Sequence, residues 1–140
     1  MTSGDAQIIM SFDYGLRHIG VAVGQSITQD SRGVGTLRAK NGKADWSGVG
    51  QLVDIYKPSL CVVGLPLNMD DTESEMAGFA RNFAGQLTHK TGLSVELVDE
   101  RLTTREARAG FEEARQMGRA KTEHELAACL ILSSWFDGSS

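Results

Sequence analysis

The chain has 140 residues, 41% of them hydrophobic and 23% charged, which is enough to bury roughly two thirds of its unfolded surface as one domain. These values exclude disordered and fibrous classes. A formal net charge of −4 argues against a protein that coats nucleic acid over its whole surface. Residues 1–12 carry no basic region followed by a long apolar stretch, and no segment approaches the roughly 20 apolar residues of a membrane span. The expectation is therefore a single domain over residues 1–140, cytoplasmic, with no membrane partner. Cys61 and Cys129 lie in apolar and alanine-rich runs and read as small buried hydrophobes, which fits a reducing compartment.

The first element is an apolar strand, Ile8-Ile9-Met10-Ser11-Phe12, that ends in Asp13. Tyr14-Gly15-Leu16-Arg17 makes a tight turn, and His18-Ile19-Gly20-Val21-Ala22-Val23 returns beside the first strand. Asp13 is thus offered at a sheet edge next to sharply bent backbone, a common way to hold a metal ion or a phosphate. Residues 34–38 form a short third strand, followed by a polar turn over 38–43. Asp45 can cap a helix in which Trp46, Val49, Leu52, Val53 and Tyr56 recur at helical spacing, ended by Pro58.

Residues 60–64 are uninterruptedly apolar, the pattern of a central strand covered on both faces. A loop over 65–72 leads to a second helix carrying Met76, Phe79, Ala80, Phe83 and Leu87 and closed by Gly92. Residues 95–100 form a fifth strand that also ends in acid, Asp99-Glu100. Strand alternation sends these two side chains to opposite faces, so only one can join Asp13. Thr103 with Glu106 makes a capping-box pattern opening a third helix to about Met117. A last helix over 123–135 is expected to turn Leu126, Cys129, Leu130 and Phe136 inward.

Short connections make the first three strands antiparallel, and helical crossovers force the fourth and fifth to run parallel to a neighbour. The fold class is α/β: a five-stranded mixed sheet with helices on both faces. Ligands in such sheets gather at the carboxyl ends of parallel strands, where the order reverses. Asp13 and Glu100 can converge there. Between Arg101 and Lys121, six basic residues stand against three acidic ones, which reads equally as a phosphate-binding stripe or a solvated helix face.

Three motifs then carry a resemblance: residues 12–22 (FDYGLRHIGVA), 63–70 (VGLPLNMD) and 98–104 (VDERLTT). In this order, and over nearly the whole chain, they resemble the YqgF/RuvX family of resolvase-like nucleases. The resemblance implies a ribonuclease H-like fold and a nuclease that matures the 5′ end of pre-16S ribosomal RNA, with cleavage of branched DNA at Holliday junctions as the older reading. It also implies one or two divalent ions, Mg2+ or Mn2+, held among carboxylates, with pre-rRNA or branched DNA as partner and a monomer or weak homodimer as the assembled state.

Asp13 and Glu100 are then the first two metal ligands and catalytic residues. The family usually has an acidic residue just before an alanine-rich stretch of the last helix, and aligning Ala127-Ala128-Cys129-Leu130 puts His124 there, between Glu123 and Glu125. Successive helix positions point roughly 100° apart, so at most one of the three faces a metal. An imidazole in that place shifts the site toward manganese. Asn68 and Asp70 are candidate substrate contacts, and Asp71 stands where the family usually has glycine. Arg17, Arg101, Arg105 and Arg108 are candidate phosphate contacts, since guanidinium groups match phosphate oxygens in pairs.

Two rival readings stand beside the nuclease. The opening strand, acid and glycine also resemble the first phosphate loop of sugar kinases, actin and heat-shock ATPases, which close two such domains around ATP and need well over twice this length. A non-catalytic module binding RNA or protein with a decayed metal site is the other; His124 favours it, and Asp13 and Glu100 oppose it.

Overall fold

The computed structural model describes residues 6–66, 74–99, 113 and 116–138. Six strands form one mixed sheet: β1 (Ile8–Asp13), β2 (His18–Gln25), β3 (Ser31–Lys40), β4 (Lys43–Ala44), β5 (Leu60–Leu65) and β6 (Ser94–Asp99). The spatial order is β4-β3-β2-β1-β5-β6. β1 pairs antiparallel with β2 and parallel with β5, and β6 runs parallel to β5. The ribonuclease H-like α/β arrangement expected from the sequence is what the chain adopts, with one strand more. The turn after Arg38 is tighter than its polar composition indicates: Asn41 and Gly42 take φ of 54° and 82°, and Lys40 pairs with Lys43 to make the two-residue β4. β3 is also longer than its apolar centre, because pairing with β2 recruits polar residues such as Ser31, Arg32 and Lys40 into the ladder or the hairpin.

Strand alternation divides the core into two layers. Met10, Phe12 and Tyr14 point to one face, where they meet α1 (Trp46–Tyr56) and α2 (Glu75–Thr91) through Val49, Phe83 and Leu87. Ile9, Val62 and Val98 point to the other, where Ile131, Leu132 and Phe136 of α3 (Glu123–Gly138) cover them. Asp45 and Ser74 cap α1 and α2, accepting from the amides of Gly48 and Ala77. α1 stops in a left-handed Lys57, whose amide donates to the Val53 carbonyl, one residue before Pro58.

The inward stripe of α3 differs from the expected one. Glu125, Ala128, Cys129, Ile131, Leu132 and Phe136 are buried, whereas Leu126 and Leu130 are only half-buried. Small residues decide this: Ala128 and Cys129 sit on Ala22, so the first half of the helix turns its narrow side to the sheet and leaves Leu126 and Leu130 half-buried, while Leu132 stays in the core. The expected helix over 103–117 lies almost wholly outside the described residues; within them, the Met117 amide donates to the Glu113 carbonyl at 2.9 Å.

Candidate active site

Asp13 ends β1 at the centre of the sheet, at the switch point where the chain goes antiparallel to β2 on one side and parallel to β5 on the other. Its direction follows from its neighbours. Ile9 packs on α3 and the Ser11 hydroxyl donates to the Ala128 carbonyl at 2.7 Å, so the odd residues of β1, Asp13 included, face α3. The turn that follows is held by close backbone approach: a Cβ on Gly15 would lie 2.6 Å from the His18 carbonyl oxygen.

Asp13 pairs with Gly20 across β1 and β2, and Gly20 pairs with Thr36 of β3. The start of α3 lies over this row. A Cβ on Gly20 would stand 1.9 Å from the His124 carbonyl oxygen, so the helix backbone rests directly on the glycine. Thr122 closes the arrangement: its hydroxyl meets that of Thr36 at 2.8 Å and accepts from the Glu125 amide at 3.0 Å, capping the helix. The sequence-level choice among Glu123, His124 and Glu125 acquires a geometry here. The Glu125 carboxylate turns back to accept from the Lys121 amide at 3.0 Å, is 6% exposed and fills the space above Gly33. Glu123 is exposed. His124 is half-buried, its ring stacked on that of His18 with centroids 4.7 Å apart and planes 22° apart. Stacking occupies ring faces and leaves the nitrogens at the ring edge as donors or acceptors.

Asp99 is the acid of β6 that does not share this face. Val98 packs with α3 residues and Glu96 accepts from the Trp135 indole N–H at 3.0 Å, so the even residues of β6 face α3 and Asp99 faces α2. Glu100 lies outside the described residues, as do Asn68, Asp70, Asp71, Arg101, Arg105 and Arg108. The two ends of the loop carrying Asn68 and Asp70 are nonetheless tied together, since the Ser74 hydroxyl donates to the Pro66 carbonyl at 2.8 Å. Arg17 is exposed on the turn after Asp13, and its carbonyl accepts from the Ala39 amide at 2.8 Å.

Sequence reasoning missed His18 and the cradle under α3. The signal was present: β2 alternates Gly20, Ala22 and Gly24 with Val21 and Val23, and small residues at every second position mark a strand face approached by another backbone. As for a metal, the oxygen donor of Asp13 suits a hard divalent ion and the imidazole of His124 a softer one. Among the described residues no three of His, Cys, Asp or Glu converge on one point, and Glu100 lies outside them.

Comparison with known proteins settles the family. A family model described as "RuvX: Holliday junction resolvase" matches residues 7–138. The chain belongs to the RuvX family. A relative from Azotobacter vinelandii is 49% identical over 132 residues, covering 92% of each chain. One from Acinetobacter baylyi is 44% identical over 132 residues, covering 93% of this chain and 90% of the relative. Both carry the name "Putative pre-16S rRNA nuclease". Among solved structures, Thermus thermophilus RuvC in complex with a Holliday junction substrate superposes with a TM-score of 0.61 at 15% identity, covering 95% of each chain. The fowlpox virus Holliday junction resolvase follows at 0.51 and 14%, covering 95% of this chain and 99% of the viral one. At such identities the likeness is one of fold, which this RuvX-family chain shares over nearly its whole length. Family and fold together support a nuclease role. No helix among the described residues is long and apolar enough to cross a membrane.

Proposed function

We propose that this protein is a divalent-metal-dependent nuclease of the cytoplasm that hydrolyses phosphodiester bonds, with the 5′ end of pre-16S ribosomal RNA as its substrate. The observation that carries this reading is the position of Asp13: a carboxylate at the switch point of a resolvase-like sheet, on the face covered by the start of α3 and in register with the glycine on which His124 rests. Asp13, Glu100 and His124 would hold Mg2+ or Mn2+. When bound, the ion lowers the pKa of its water and stabilises the charge developing on the attacking and leaving oxygens. Hydrolysis joins a water oxygen to phosphorus and breaks one phosphorus–oxygen bond, leaving a phosphate on one fragment and a hydroxyl on the other.

The remaining assignments concern the strand rather than the reaction. Arg17, exposed beside Asp13, and Arg101, Arg105 and Arg108 would neutralise backbone phosphates, while Asn68 and Asp70 would contact nucleotides next to the scissile bond. The deciding experiment compares the wild-type protein with Asp13→Asn on pre-16S rRNA and on branched DNA, in magnesium and in manganese. The expected result is cleavage of the rRNA that needs the metal and is lost in the variant, while circular dichroism and melting stay close to wild type. Activity that survives the substitution removes Asp13 from the mechanism. Binding of RNA without cleavage in either metal would identify a non-catalytic module instead.

A further inference from the structure

On the α2 side of the sheet, one residue past Asp13, a groove of 530 Å³ opens between the β3–β4 hairpin, the first turn of α1 and the outer face of α2. Its floor is fixed. Tyr14, 9% exposed, donates its hydroxyl to the Gly42 carbonyl at 2.6 Å, and its ring lies against Phe83 with centroids 5.1 Å apart. Trp46 continues the aromatic series, stacked on Phe83 at 5.3 Å with planes 20° apart, and reaches the groove wall half-buried. The Lys90 ammonium lies over the Trp46 ring, 5.3 Å from its centroid. Phe79 is 40% exposed along the same wall.

Apart from Gly42 and Ala44 of the hairpin, the rest of the lining is cationic or amide. Lys43 and Lys90 are both exposed, Asn82 and Gln86 line the groove from α2, and among the described residues no aspartate or glutamate belongs to the lining. Aromatic surface that accepts a flat ring, amides that bond to ring edges and ammonium groups that meet phosphates form the combination by which proteins grip single-stranded nucleic acid. A base paired within a duplex cannot present its face to such a wall, whereas an unstacked one can. The volume lies within the range of small-ligand pockets.

We propose that this groove is a subsite for one unpaired ribonucleotide flanking the cleavage point, its base against Phe79 and Trp46 and its phosphates between Lys43 and Lys90. The proposal rests on the nuclease reading for the path of the strand: Tyr14 follows Asp13 directly and turns to the opposite face, so an RNA that reaches both crosses the carboxyl end of β1 from the α3 side to the α2 side. Lys90 moves from the Trp46 face to a phosphate as the base enters. A single-stranded end or bulge beside the cut would thus be preferred over a continuous duplex.

The test separates binding from cleavage by using Asp13→Asn in chelator, and adds Trp135→Phe so that Trp46 is the only tryptophan left of the two. Titration with a short single-stranded oligoribonucleotide should change Trp46 emission in a saturable way. In that background Phe79→Ala should weaken binding by about fivefold or more. Lys43→Glu with Lys90→Glu should weaken it further and lower the slope of log affinity against log salt by roughly 1.4, the share of two phosphate contacts on a single strand. All three positions are exposed, and melting curves check that the fold is intact.

Oligonucleotide binding that leaves Trp46 emission unchanged, or that is indifferent to the lysine pair, overturns the subsite. So does adenosine monophosphate binding as tightly as the oligonucleotide, which would make the groove a free-nucleotide site, or self-association of the protein that the lysine substitutions abolish. Because cleavage plays no part in the readout, a wild-type protein that binds this way but cuts nothing would sink the nuclease reading and leave the groove standing as a site for an unpaired nucleotide. One that cuts without these effects would do the reverse.

Discussion

The His124 carbonyl oxygen rests on Gly20 so closely that a single methyl at that glycine would stand 1.9 Å from it. Gly20 is also the cross-strand partner of Asp13. One backbone contact therefore sets the height of the last helix above the sheet and the place of His124 relative to the central carboxylate.

Gly20→Ala should consequently damage both stability and the site. The methyl meets backbone on all sides that count, the His124 carbonyl and the Glu125 amide nitrogen at 3.0 Å, and backbone of a packed helix cannot rotate away as a side chain can. Overpacking of this kind costs about 1–3 kcal/mol. Urea denaturation should show a lower midpoint, and RNA cleavage should fall more than the stability loss accounts for, because α3 is lifted off the Asp13 row. A variant with wild-type stability would mean that the helix sits farther from β2 than 1.9 Å implies.

On the proposed shell of Asp13, Glu100 and His124, cleavage in manganese should exceed cleavage in magnesium, since an imidazole nitrogen suits manganese better. His124→Asp should narrow the gap by restoring an oxygen donor. Rates measured in both metals at equal ionic strength decide it; equal rates, unchanged by the substitution, would remove His124 from the shell and leave its ring to the stack with His18.

Both cysteines should resist thiol reagents in the native protein and react on unfolding. Burial pushes the Cys61 thiol up to about 12 and the Cys129 thiol up to about 11, the latter despite opposing effects from Ser31 and Arg119. The ordinary value is 9.0. A folded-state pKa above the unfolded one means that between those values the native chain holds more protons than the unfolded one, so stability falls as pH rises. The contribution is fully present below about pH 9 and is lost as pH climbs toward the folded-state values. Melting temperature followed from pH 7 to 11 should decline, and Cys61→Ala should flatten the part of that decline above pH 9. Rapid labelling of the native protein at neutral pH would contradict the burial of these thiols.

Much of the fold was legible in local pattern. The acid-ended first strand, the glycine turn and the returning strand are written in consecutive residues, and the apolar run at Leu60–Leu65 announced a strand covered on both faces. The cap expected at Asp45 forms, and Ser74, a residue of equally good capping type, caps the second helix. On α3 the expected Cys129 and Phe136 are buried, whereas the expected Leu126 and Leu130 are only half-buried. Close approach to Ala22 puts Ala128 beside Cys129 against the sheet, and no property of α3 alone reveals how close the sheet will come. His18 escaped notice for the same reason: an exposed histidine after a turn has no local mark of a partner more than a hundred positions away.

By itself the sequence determined where β1, β2, β5, β6, α1 and α2 lie to within a few residues, that β1 to β3 run antiparallel while β5 and β6 run parallel to β1, and that Asp13 ends a strand, because each of these depends on side-chain period and turn chemistry within a few residues. Only the tertiary structure decided that Asp13 shares a face with His124 while Asp99 does not, and that Glu125 is spent on closing the helix start. Those outcomes turn on register between distant segments and on the distance of closest approach of two backbones, which are fixed by packing across the sheet.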